Sequence, residues 1–196
     1  MKTDIVLAGV GGQGILSIAT ILGRAALAGD LYIKQAEVHG MSQRGGDVQS
    51  NLRLSSRPIA SDLIPRASAD LIISLEPMEA LRYVSYLSPS GWIVTNTTPF
   101  VNIENYPAHE AVMAELNSYP NIVAIDVDAI AKEVASPRAS NMVLLGAASP
   151  FIEIESAEIE NAIAAIFGAK GADVVEMNQT AFRAGREFAL NSASGK

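Results

Sequence analysis

The residues that most narrow the fold of this chain are Gly9, Gly11 and Gly14, set between two segments of opposite character. Before them, Ile5-Val6-Leu7-Ala8 is a short β-rich run; after them, from Ile15 to Ala28, almost every residue suits a helix. The string Gly9-Val10-Gly11-Gly12-Gln13-Gly14 therefore reads as strand, glycine turn, helix. In that setting G-x-G-x-x-G is the dinucleotide fingerprint. A turn without side chains lets the backbone approach a pyrophosphate, whose charge then meets free N–H groups at the helix N-terminus. The same glycines equally serve close packing of strand on helix. Glu37, 23 residues beyond Gly14, stands near the end of the next strand, about where an acid binds a ribose 2′-hydroxyl.

The helix at 15–28 is apolar nearly all round, with Ile15, Leu16, Ile18, Ile21 and Leu22, so it needs cover on more than one side. Further strands are predicted over 31–36, 47–54, 69–75, 91–96 and 121–126, and helices over 78–87, 127–135, 138–148, 156–167 and 174–189. The 47–54 strand alternates as a half-exposed strand does and can run antiparallel to its neighbours. Pro77 stands at the first turn of its helix, and Ser156 with Glu158 and Glu160 places negative charge where the helix dipole favours it. Alternating strands and helices predict an α/β fold, three-layer α/β/α with a mostly parallel, mixed sheet and a Rossmann-like start. No repeat or linker divides the 196 residues, so one domain is expected over 1–190, with 191–196 a frayed tail.

Composition then excludes several function classes. With 21 acidic against 14 basic residues, a formal net charge of −7 and no basic stripe, the chain is expected to have no nucleic acid partner. No run approaches the roughly 20 apolar residues of a membrane span, so no membrane partner and a cytoplasmic location are expected. There is no cysteine. The chain can therefore supply no thiolate to an iron–sulfur cluster or zinc site and no cysteine nucleophile, and any redox role must borrow a cofactor or a partner. The two histidines, His39 and His109, are too few for a histidine-built metal site, so no metal ligand is predicted.

Two segments carry the densest chemistry. Glu37-Val38-His39-Gly40-Met41-Ser42-Gln43-Arg44-Gly45-Gly46 has neither strand nor helix periodicity and reads as a polar loop, the kind of element that carries sites on rigid scaffolds. His39 is of the residue type that serves as acid or base, and Arg44 has the fork geometry to clamp a carboxylate or phosphate. A solvated loop in which Glu37 merely pairs with Arg44, or an interface role for His39, fits the same residues. Glu76, after the 69–75 strand, stands where open α/β sheets place ligands, although Glu76 and Glu79 also suit the positive end of the following helix. His109 reads as structural or exposed, and Asn141 opens an apolar helix as a candidate for buried polar duty.

Three strings together, the glycine turn at 9–14, the loop at 37–46 and Ser74-Leu75-Glu76-Pro77-Met78-Glu79-Ala80-Leu81, resemble the gamma-type domain of the 2-oxoacid:ferredoxin oxidoreductases. Within that family the likeness is to small subunits of the indolepyruvate enzymes. It spans roughly residues 4 to 190, and His-Gly-Met-Ser-Gln-Arg is far more specific than the glycine turn. The resemblance implies decarboxylation of a 2-oxoacid on thiamine diphosphate, one-electron transfers through iron–sulfur clusters toward ferredoxin, and acyl transfer to coenzyme A. The chain shows no Gly-Asp-Gly followed by an Asn-Asn pair, the family's means of holding thiamine diphosphate through a metal ion such as Mg. These groups are thus expected on a large alpha subunit, with none bound by this chain alone. The resemblance then makes His39, Ser42 and Arg44 an active-site wall, and Gly9, Gly11, Gly12, Gln13, Gly14, Glu37, Gln43 and Glu76 candidates for cofactor binding. Two other readings stay open: a free-standing NAD(P)-dependent dehydrogenase, supported by the glycine turn and Glu37, and a non-catalytic docking scaffold.

Overall fold

A computed structural model describes residues 1–39, 46–101 and 103–194. The run around Ile5 becomes strand β1 (Lys2–Val10), which enters helix α1 (Ile15–Ala28) through the glycine turn. Then come β2 (Tyr32–His39), β3 (Asp47–Ser55), β4 (Ala69–Ser74), α2 (Pro77–Arg82), β5 (Leu87–Asn96) and α3 (His109–Asn117). The last third holds β6 (Ile122–Ile125), α4 (Val127–Val134), α5 (Ser140–Ala148), α6 (Ser156–Phe167) and α7 (Ala172–Ser194).

The strands form one mixed sheet in the order β2-β3-β1-β4-β5-β6. The pairs β1–β4, β4–β5 and β5–β6 are parallel, while β3 runs antiparallel to both β1 and β2. Successive side chains of β1 go to opposite faces. Ile5 and Leu7 join a core with α1, α4, α5, α6 and α7, whereas Val6 and Ala8 join a second core with Ala80 of α2 and Val112 and Leu116 of α3. Burial on both faces explains why the parallel strands are nearly continuous apolar runs. The three-layer α/β/α expectation holds.

Helix α5 is buried from Met142 to Ala148 because α7 lies directly against it. A Cβ on Gly146 would stand 1.8 Å from the Phe182 carbonyl oxygen, and one on Gly185 would stand 1.9 Å from that of Val143. Only glycine permits this approach. Trp92 of β5 stacks on Phe151 with ring centroids 4.2 Å apart, joining the sheet to the turn after α5.

The structure departs from the sequence-based expectations in several places. Residues 37–39, read as loop, complete β2, because each finds a partner on β3, ending with His39 opposite Val48. Helix α3 was not expected; it buries only Val112 and Leu116, too few apolar positions to show a period. The helix read over 78–87 ends at Arg82 and is followed by a short 3-10 turn at Val84–Tyr86. Helix α7 runs to Ser194, and the last two residues of the expected 191–196 tail lie outside the described residues. The Rossmann-like start also has one change of substance: β3 occupies the position beside β1 that β2 holds in a dinucleotide-binding unit.

Candidate functional site

The carboxyl ends of β1, β4, β5 and β6 converge on a cavity of about 410 Å³. Its walls include Gly12, Gln13, Gly14, Leu75, Asn96, Asp128, Arg138 and Asn141. An open α/β sheet offers its ligand crevice at this edge.

The glycine turn is held from three directions. The Val10 N–H donates to Gln13 Oε1 at 2.8 Å, and Gln13 Nε2 donates onward to the Leu75 carbonyl at 3.2 Å, tying the turn to the end of β4. The Gly11 N–H donates to the Gly46 carbonyl at 2.8 Å, and that of Gln13 to Val10 at 3.2 Å. Asn141 Nδ2 donates to the Gly14 carbonyl at 3.3 Å, so the candidate polar duty of Asn141 is to tie α5 to the turn. Gly12 and Gly14 have φ of 103° and 83°, a left-handed region that side chains disfavour. Gly14 caps α1 without any side-chain hydrogen bond, and the first turn of α1 holds no acid, so the positive end of that helix reaches the cavity uncompensated by this chain's own carboxylates there.

The opposite wall is polar. Asn96, 3% exposed at the end of β5, donates through Nδ2 to Asp128 Oδ2 at 3.3 Å and accepts the Val127 N–H on Oδ1 at 3.3 Å. Ser140 Oγ donates to Asp128 Oδ1 at 2.7 Å. Asp126 already caps α4 by accepting from the Ala129 N–H at 2.9 Å. Arg138 stands on the turn Pro137–Ala139, whose entry is held by the Arg138 N–H donating to Ser136 Oγ at 3.3 Å. Sequence reasoning missed Asn96, Asp128, Arg138 and Ser140. The available signal was a polar residue closing β5 just where this sheet class binds ligands.

The predicted site residues do not all meet. Gly9 lies within β1, opposite Val48 of β3, while Gly11, Gly12, Gln13 and Gly14 form the turn, with Gly12, Gln13 and Gly14 on the cavity. Glu37 lies on edge strand β2, level with Ser50 of β3 and, through it, Leu7 of β1. That is two strand spacings from β1, about 10 Å, and the Glu37 carboxylate accepts from Gln35 Nε2 at 2.6 Å. Glu37 is thus remote from the place of a ribose-binding acid, which removes the geometric support for a dinucleotide. Glu76 is 1% exposed and faces the α2 side. Its Oε2 accepts the Glu79 N–H at 2.7 Å as the cap of α2, and its Oε1 accepts from the Phe100 N–H at 3.3 Å and from the Tyr106 hydroxyl. It clamps the chain after β5 onto α2. His39 ends β2, while Ser42, Gln43 and Arg44 lie outside the described residues. His109 opens α3 and is exposed.

A second titratable group lines the far side of α2. Burial pushes the Glu79 carboxyl upward against the opposing pull of Arg82, whose Nε donates to it at 2.8 Å. Burial, and then the charge of Asp47, push the Tyr83 hydroxyl up to about 12. Among the described residues no group of three His, Asp or Glu is placed to hold a metal, and no helix is long and apolar enough to cross a membrane.

The family model of pyruvate ferredoxin/flavodoxin oxidoreductase matches residues 4–188. The chain is 32% identical over 198 residues to the indolepyruvate oxidoreductase subunit IorB of Archaeoglobus fulgidus, covering 97% of each. It is 35% identical over 192 residues to IorB of Pyrococcus horikoshii, covering 93% of each. Among solved structures, the gamma subunit of a keto/oxoacid ferredoxin oxidoreductase from Geobacter sulfurreducens superposes with a TM-score of 0.70 at 23% identity, over 96% of this chain and 99% of that one. A 2-oxoglutarate:ferredoxin oxidoreductase from Magnetococcus marinus, solved with 2-oxoglutarate, coenzyme A and succinyl-CoA, gives 0.76 at 23% identity. That match covers 97% of this chain and 31% of that much longer one, and at such identities both structures speak for the fold alone.

Proposed function

We propose, because the chain belongs to the pyruvate ferredoxin/flavodoxin oxidoreductase family, that it is the small subunit of an indolepyruvate-type 2-oxoacid:ferredoxin oxidoreductase. The observation that carries this reading is similarity to IorB subunits, at 32% and 35% identity, over nearly the full length of the chain. The enzyme is an oxidoreductase that oxidatively decarboxylates an arylpyruvate to its acyl-CoA, and this chain works only within the complex, in the cytoplasm.

Thiamine diphosphate with its metal ion and the iron–sulfur clusters do not fit this chain, which has no cysteine and, among its described residues, no metal-holding group. They belong on a large partner subunit, which also meets ferredoxin. Coenzyme A fits the cavity better, since an anionic group is favoured beside the uncapped α1 N-terminus and Arg138. When bound it supplies the thiol that accepts the acyl group. This chain's own residues bind and orient: Gly12 and Gly14 offer backbone N–H groups, Gln13 and Glu76 brace the walls, and Glu37 braces the edge strand. In this reading His39 and Ser42 hydrogen-bond across the interface with the partner, Arg44 orients a carboxylate or phosphate, and Gln43 serves cofactor binding.

Purification of the tagged chain from its source is expected to bring down a large iron–sulfur subunit. In that complex, Arg44→Ala is expected to raise KM for the oxoacid or coenzyme A. A chain that recovers no partner and binds NAD by itself would refute the reading.

A further inference from the structure

Strand β2 (Tyr32–His39) is the end of the sheet, and among the described residues no strand pairs with its outer edge. The backbone N–H and C=O groups on that side are therefore a template for another strand. The edge lacks most of the devices that blunt such a template. It is eight residues long, holds no proline and keeps an unbroken register with β3, from Tyr32 opposite Ser55 to His39 opposite Val48. Its two faces differ. Ile33 packs toward α1, whereas Tyr32, Lys34, Ala36 and Val38 share the opposite face, whose helices α2 and α3 lie farther along the sheet. There Tyr32 and Val38, both large and hydrophobic, are 50% and 55% exposed.

We propose that two copies of the chain meet at this edge, β2 running antiparallel to β2 of the second copy about a two-fold axis at Gln35, so that two six-stranded sheets become one. The register follows from the side chains. A two-fold axis perpendicular to the sheet keeps like faces together, so it has to pass through a residue rather than between two. Three positions keep most of the strand paired. An axis at Lys34 sets two lysines directly opposite each other, which is destabilising. One at Ala36 sets Lys34 against Val38 and carries Tyr32 past the end of the partner strand. An axis at Gln35 sets Tyr32 against Val38 twice over, an aromatic and β-branched pair of the kind that stabilises antiparallel sheets, with exposed Lys34 beside the small Ala36. Charge allows the approach. Each chain carries a net −7, but β2 itself holds one lysine and one glutamate, so the meeting edge is neutral where the chain as a whole is not. The paired stretch ends at Val38, leaving His39 and the residues after it outside the two-fold contact. The proposal goes beyond the subunit reading and adds that two such subunits join through their sheets.

Two paired strands make a contact at the small end of specific interfaces, so a Kd on the order of 10 µM is expected for the full chain. Sedimentation over about 1 to 200 µM is expected to show the mass climbing from 20.6 kDa toward twice that. Val38→Lys, an exposed change, sets a lysine opposite Tyr32 and diagonal to Lys34 of the second copy. Symmetry counts the loss twice, so association is expected to weaken about tenfold. Tyr32→Glu combined with Val38→Lys in one chain sets opposite charges face to face and is expected to restore association in a salt-dependent way. Because the chain has no cysteine, the register can be read by cross-linking. Gln35→Cys is expected to form a disulfide with its own copy, since Cα atoms of directly opposed residues lie about 4.5–5.5 Å apart. Tyr32→Cys and Val38→Cys, each about 20 Å from its own copy, are expected to cross-link only when the two variants are mixed. A chain that stays monomeric throughout the range, a dimer indifferent to Val38→Lys, or Gln35→Cys chains that do not cross-link would each overturn the proposal. The same variants in the purified complex separate the occupants. If the large subunit covers this edge, Gln35→Cys does not pair with itself there and Val38→Lys releases the large subunit, which refutes a second copy. Dimerisation through β2 by a chain that recovers no large subunit upholds this inference and not the subunit reading.

Discussion

Alanine at Gly146 should destabilise the protein even though helix propensity argues the reverse. In the interior of a helix, alanine is favoured over glycine by about 1 kcal/mol. Against this, the added Cβ would lie 1.8 Å from the Phe182 carbonyl oxygen, whereas Cβ atoms essentially never come within 3.0 Å of a neighbour. The obstacle is backbone on a packed helix, so no side-chain rotation relieves it. Helices α5 and α7 must part by more than 1 Å, loosening contacts of Val143, Ala147, Ala181 and Phe182, all 0% exposed. Overpacking of this kind costs about 1–3 kcal/mol, and a backbone obstacle places it at the upper end. Net of propensity, Gly146→Ala should lose about 2 kcal/mol, a Tm fall of roughly 4–8 °C for a domain of this size. Gly185→Ala, 1.9 Å from the Val143 carbonyl oxygen, should behave alike. The double variant should fall by less than both together, because one separation of the helices relieves both clashes. Gly168→Ala is the control: its φ is −54° and a Cβ there meets nothing within 4 Å, so it should be neutral or slightly stabilising. Thermal unfolding followed by circular dichroism reads all four. A rise in Tm for Gly146→Ala, or full additivity in the double variant, would refute this account of the α5–α7 contact.

Two further outcomes follow from the site and its surroundings. Burial raises the Tyr83 hydroxyl to about 12, so the folded chain keeps a proton that the unfolded chain sheds near pH 10. Stability should then fall as pH rises from 10 to 12, and Tyr83→Phe should flatten that decline; an unchanged slope in Tm against pH would show that Tyr83 does not contribute. Gly14→Ala forces a side chain into φ of 83° with its Cβ 3.0 Å from Asn141 Nδ2; it should cost roughly 1–2 kcal/mol of stability and raise the coenzyme A KM of the complex, and normal values of both would mean that the turn does not need its left-handed geometry.

Much of the architecture was legible because it is written in local periods. The continuous apolar runs at 5–8 and 69–75 announced strands buried on both faces, and the all-apolar helix at 15–28 announced cover on two sides. Helix α3 was illegible because two buried residues make no pattern. At the site, the glycine turn was legible as backbone geometry. Asn96, Asp128 and Arg138 were not, because nothing near each of them in sequence says that they share a wall. The bond from Asn141 to Gly14 spans 127 residues, and no local pattern encodes such a span.

The sequence by itself determined most of the strands and helices, which of their faces are apolar, where glycines let the chain turn between β1 and α1, and that thiolate chemistry has to come from elsewhere. Tertiary structure alone decided that β3 inserts between β1 and β2, carrying Glu37 two strands from the turn, and that Asp128 of α4 supplies the acid beside it. The reason is physical. Element type follows from side-chain spacing along a few residues, whereas strand pairing uses backbone groups that every residue shares, so its order is settled only when the whole set of faces packs together.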